Sequence, residues 1–163
     1  MIQREMQTDG DLRLSSNACS YTFVRICPGT LYMTIAGRET GDLGRAPLGE
    51  FAAEAALHPP LRLFIDMSGL SHVAEPVSDD WTAWFQANQR AVRKVDVLAP
   101  EVFVRLIVAV SQVFSRTGDL IRIHTEPCAF EAAVREAAPK FSLGRSPEGA
   151  KDSSSGASPV LSS

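Results

Sequence analysis

Leu61-Arg62-Leu63-Phe64-Ile65-Asp66-Met67-Ser68-Gly69-Leu70 is the stretch on which the fold turns. Leu61 to Ile65 is apolar except for Arg62, which suits a strand covered on both faces, and Asp66 with Ser68-Gly69 supplies the chemistry of a turn that ends it. This is the expected central strand. Working towards the N-terminus, His58-Pro59-Pro60 stops a helix whose inward positions are Leu48, Phe51, Ala52, Ala55 and Ala56. Further back, Tyr21 to Ile26 and Leu31 to Ala36 flank Cys27-Pro28-Gly29-Thr30, a hairpin-length turn, so these two strands pair antiparallel.

Towards the C-terminus, Met67 to Val77 reads as a loop, and Ser78 as the N-cap of a helix with Asp79 and Asp80 in its first turn. Trp81, Trp84, Phe85 and Asn88 share one face of that helix. Val92 to Leu98 is a strand closed by Ala99-Pro100, and Glu101 to about Arg116 is a helix ending at Thr117-Gly118. That helix is unusually apolar: Val102, Phe103, Val104, Leu106, Ile107, Val108, Val110, Val113 and Phe114 leave only Arg105, Ser111 and Gln112 as a polar stripe. Leu120 to His124 is the last strand, and Pro127 to Ala138 the last helix, with Phe130, Ala133, Val134 and Ala137 inward.

Strands alternating with single helices predict an α/β domain over residues 21–141, with a mostly parallel mixed sheet of about five strands and about four helices. Residues 1–20 read as a loose leader with at most a short edge strand, and residues 142–163, rich in Ser, Gly and Pro, as a disordered tail. The 163 residues carry a formal charge of −3, with 45% apolar and 21% charged side chains, the balance of an ordinary globular domain. No basic cluster is dense enough for nucleic acid, and no apolar run approaches the roughly 18 to 20 residues of a membrane span or resembles a secretory signal. A cytoplasmic location is expected. Cys19, Cys27 and Cys128 lack the spacing of a disulfide framework or zinc site and read as reduced thiols. His58, His72 and His124 share no ligand-like spacing, so no metal is assigned.

The glycine after Leu31-Tyr32-Met33-Thr34-Ile35-Ala36-Gly37, the strand end at Asp66-Met67-Ser68-Gly69-Leu70, the helix that follows it, and Ile121-Arg122-Ile123-His124-Thr125-Glu126-Pro127 with Phe130 and Glu131 carry a resemblance. Over about 120 residues the sequence resembles the STAS domain family of sulfate transporters and anti-sigma factor antagonists, and more closely its SpoIIAA-like branch. The resemblance implies a small regulatory module that binds a kinase-like partner through the loop after the central strand. In phosphorylated members that loop carries Asp-Ser-Ser-Gly, whose first serine accepts phosphate. Laid without gaps from Asp66, those four positions fall on Ala74, Glu75, Pro76 and Val77, so the phosphoacceptor is missing and Glu75 places a fixed carboxylate there. Ser71 and Ser78 flank the loop as candidate shifted acceptors, although Ser78 is better explained as a helix cap.

The functional expectation is therefore a non-catalytic module that binds a protein through Asp66, Ser68, Ser71, His72, Glu75, Ser78, Asp79, Trp81 and Trp84. For the two tryptophans, core packing is the stronger reading. Asp66 and its neighbours also sit where open α/β sheets hold ligands, at the C-terminal end of a central strand. No nucleophile, base and orienter can be assigned from spacing, no phosphate loop exists, and no catalytic residue or cofactor is expected. Two other readings use the apolar Glu101 to Arg116 helix: as the wall of a pocket for an apolar small molecule or lipid, or as the seam of a homodimer.

Overall fold

The computed structural model describes residues 1–113 and 120–141. Strands β1 (Gln3–Met6), β2 (Leu12–Ser15), β3 (Cys19–Cys27), β4 (Thr30–Glu39), β5 (Leu61–Val73), β6 (Val92–Leu98) and β7 (Ile121–His124) form one sheet in chain order. Helices α1 (Ala46–Leu57), α2 (Glu75–Ala87), α3 (Glu101–Val113) and α4 (Pro127–Ala137) follow β4, β5, β6 and β7. β1 to β4 pair antiparallel and β4 to β7 parallel. The α/β class, the β3–β4 hairpin and the four helices are as expected from the sequence.

The strand count is not. Residues 1–20, expected as a loose leader, form the β1–β2 hairpin. Leu12 and Leu14 alternate inward onto the sheet's core face and are buried, and Arg4 on β1 reaches Glu50 of α1 at 2.5 Å. Only two apolar residues mark this strand, too few to register as a period. The expected end of the apolar helix at Arg116, its Thr117-Gly118 cap and the tail from residue 142 lie outside the described residues.

The parallel connections step in the same direction across the sheet, and α1, α2 and α3 pack on one face of it, while α4, after the last strand, packs on the other, as the right-handed crossover rule expects. Leu31, Met33 and Ile35 of β4, Leu63 and Ile65 of β5, and Val95 and Val97 of β6 point to the first face, where Phe51, Trp84, Phe85, Phe103 and Ile107 meet them. On the second face Tyr32, Phe64 and Leu98 pack with Phe130 and Val134 of α4. Among the described residues no helix is long and apolar enough to cross a membrane.

Two strands run further than the sequence pattern predicts, and they shape the site. β4 continues to Glu39 because Gly37, at φ +98°, lets it pass the backbone of Ala18; a side-chain carbon there would lie 2.3 Å from the Ala18 carbonyl oxygen. β5 does not stop at Asp66 but continues to Val73, held by β4. α2 then starts at Glu75, with Pro76 in its first turn, and Ser78 lies inside the helix rather than capping it. A proline's fixed φ suits the first helical turn, so Pro76 sets the start three residues before the serine that looks like a cap.

Candidate functional site

The sequence-derived surface divides in two. Asp66 is not at a strand terminus: it lies within β5, paired to Thr34 and Leu98, and is 5% exposed. Its Oδ1 accepts from the Ser68 backbone N–H (2.9 Å) and the Ser68 hydroxyl (2.6 Å), while the Tyr32 hydroxyl donates to Oδ2 at 3.2 Å. It is a brace between strands. Trp84 is buried between Phe51 and Phe85, and Trp81, half-buried, stacks on Tyr21 and meets Phe51 edge-on. Both tryptophans pack against the core, Trp84 and Asp66 are withdrawn from the surface, and Trp81 remains partly exposed. Ser78 is half-buried against the core. The strands follow chain order across the sheet, so there is no reversal of strand order to open a ligand crevice at the end of β5.

Ser68, Ser71, His72, Glu75 and Asp79 are exposed, and β5 brings the first three of them together. The register of β5 against β6 ends at Asp66 and Leu98. Beyond it, β5 pairs with β4 alone, through Gly69–Ala36, Leu70–Gly37, His72–Arg38 and Val73–Glu39. Irregularities in the β4 register, at Thr34/Ala36 and Gly37/Arg38, break the strict alternation, leaving the consecutive pairs Ser68-Gly69 and Ser71-His72 in solvent while Met67 and Leu70 stay buried. The Ser71 hydroxyl donates to the Gly37 carbonyl at 3.1 Å. Residues 67–73 thus project as a strand that, among the described residues, has no partner strand on its β6 side. The first turn of α2 follows directly, with the Glu75 carboxylate at its N-terminus, the positive end of the helix dipole.

Two further polar groupings escaped the sequence reading. The first surrounds Glu39, at the end of β4 and 3% exposed. Its Oε1 accepts the Gly41 N–H at 2.8 Å and its Oε2 the Cys19 thiol at 3.5 Å. Burial, then the Glu39 charge and hydrogen bond, push the Cys19 thiol up to about 12, so it is no nucleophile at neutral pH. Burial and a hydrogen bond to Glu39 likewise push the Tyr21 phenol up, against a small opposing effect of Trp81. Beside this group, between the sheet and the α2–α3 layer, lies an apolar cavity of about 90 Å³.

The second grouping is Arg62–Asp96–His124, on the face covered by α4. Asp96 is fully buried; His124 Nε2 donates to its Oδ1 at 2.7 Å and Arg62 bonds its Oδ2. Burial works against the charged carboxylate, but the hydrogen bonds and charges of His124 and Arg62 outweigh it and hold Asp96 below the usual carboxylate range. The Arg62 guanidinium lies 4.2 Å from the Phe64 ring centroid, and its second terminal nitrogen, buried, has no partner. Among the described residues the hydrogen bonds of this group run between its own three members. A signal was present, since Arg62, Asp96 and His124 each interrupt an apolar strand, and buried charges are rarely left unpaired.

By overall shape the chain is similar to the crystal structure of an uncharacterized protein of the DUF3478 family, with a SpoIIAA-like fold, from Shewanella loihica PV-4. The sequence identity is 15%, the match covers 82% of this chain and 91% of that one, and the TM-score is 0.46. No protein-family model matches the chain, and no curated protein matches it.

Proposed function

We propose that this domain is a non-catalytic binding module whose contact surface is the projecting end of β5, residues 67–73, together with the first turns of α2. The observation that carries this reading is the overshoot of β5 past β6. A strand paired on one flank only offers a row of backbone donors and acceptors to an extended segment of another protein, which adds as a further strand. Ser68, Ser71 and His72 supply side chains along that flank, and the exposed carboxylates of Glu75 and Asp79 favour a positively charged partner segment. The reading places no role on Asp66, Trp81 or Trp84 beyond holding the surface in shape.

The test is affinity for the partner recovered by pull-down from the source cell. Glu75→Ser should weaken that complex by about 1 kcal/mol or more, roughly fivefold or more in Kd. Unchanged binding by this variant, with binding also unchanged in Ser71→Pro, which removes a backbone donor from the strand, would refute the surface.

A further inference from the structure

The cavity between the sheet and the α2–α3 layer does not depend on the partner-binding reading. It is lined by Ile35, Met67, Val97, Phe85 and Ile107, which are buried, and by the half-buried Trp81 and Leu106. We propose that it is a binding site for a small neutral apolar molecule. Size and polarity define the class. A cavity of about 150 Å³ accommodates benzene, so by volume the 90 Å³ here has room for about four non-hydrogen atoms. The lining is almost wholly apolar and partly open to solvent, and it forgoes dispersion contacts that an apolar occupant restores.

Charge is the point at which the class could differ, because Glu39 is part of the wall and no Lys, Arg or His among the described residues forms an ion pair with it. Its carboxyl is nevertheless occupied on both oxygens, by the Gly41 N–H and the Cys19 thiol. A cationic occupant would lose its own hydration to an almost wholly apolar lining, whereas a neutral one has no charge to desolvate. Val73 and Val77 continue the lining without a polar side-chain atom, and besides Glu39 its polar side chains are the hydroxyls of Tyr21 and Ser78.

Isobutane and trimethylammonium share a shape and differ by one charge, so the pair tests the class on the full chain, with xenon as a third probe. Isoleucine methyl NMR reads the site directly: Ile35, Ile65, Ile107 and Ile121 line it, while Ile2, Ile26 and Ile123 lie outside. The expected result is saturable shifts confined to the four lining methyls with xenon and isobutane, and affinity for isobutane at least about tenfold above that for trimethylammonium, which must bury its charge. Val97→Phe, which fills the void, should abolish the shifts; Val97→Leu, a smaller filling, should weaken them if the larger side chain does not fold. Preference for trimethylammonium would overturn the neutral class. Absence of shifts with xenon and isobutane alike, or shifts that persist with the void filled, would overturn the site.

Discussion

Replacing Asp96 with alanine is the sharpest perturbation of the α4 face. Asp96 is fully buried and Arg62 is 7% exposed, so the substitution strands a guanidinium that already has one unpartnered nitrogen and removes the acceptor of His124 as well. Breaking a buried pair by deleting one member costs about 3 to 5 kcal/mol, because the remaining charge cannot be solvated. Against a total stability of roughly 5 to 15 kcal/mol this is a large fraction, and at about 2 to 4 °C per kcal/mol for a chain of this length it corresponds to a fall in Tm of roughly 6 to 20 °C. The double variant Arg62→Met with Asp96→Leu should recover most of the loss, since removing both charges removes the desolvation cost. Urea unfolding with the m-value monitored is the assay. The pH dependence has a definite sign. Asp96 titrates lower in the folded than in the unfolded chain, so its contribution is complete above its unfolded pKa of about 3.9 and is lost as pH falls through the folded value. The gap between the parent chain and Asp96→Ala should therefore close in acid and stay constant from about pH 5 to neutrality, to the extent that it comes from Asp96 ionisation. A loss below about 1 kcal/mol, or a gap that widens in acid, would refute the argument that Asp96 is a buried, ionised partner of Arg62.

Trp84→Ala should cost about 3 to 5 kcal/mol in the same unfolding assay, the ordinary range for truncating a buried tryptophan, whereas a small loss would return Trp84 to the surface. Val108→Glu on α3, where Val108 is 39% exposed and Val102 76%, should leave stability within about 0.5 kcal/mol and the sedimenting mass unchanged. A change from dimer to monomer would instead assign that helix face to a seam between two copies.

What could be read from the sequence was what nearest neighbours and short periods decide. The alternation of Leu31, Met33 and Ile35 and the Pro28-Gly29 turn specify the β3–β4 hairpin, and Phe130, Ala133 and Val134 specify the inward side of α4. Asp66-Met67-Ser68-Gly69 misleads because each of its residues favours a turn, yet Asp66 finds Tyr32 across the sheet and β4 holds the strand extended, long-range pairing that overrides local preference. The start of α2 was misplaced since a serine followed by two aspartates is a stronger cap signal than a lone proline. Of the candidate site, Ser68, Ser71, His72, Glu75 and Asp79 were legible as polar residues after a buried strand; that they flank an open strand edge depends on where β6 ends, which no local pattern states. The Arg62–Asp96–His124 network shows in the sequence as a polar residue in each of three apolar strands, but which of them pair, like the cavity beside Glu39, depends on register between strands distant in sequence.

The claim that the end of β5 is the contact surface is tested most directly by photo-crosslinking. A benzoylphenylalanine placed at His72, on the open flank of β5, is compared with one at Arg135, exposed on α4 on the opposite side of the sheet. In the presence of the recovered partner, crosslinks should form from position 72 and not from position 135, and competition with unlabelled parent chain should remove them. Crosslinking from position 135 with none from position 72, in a variant that retains partner binding, would contradict the account.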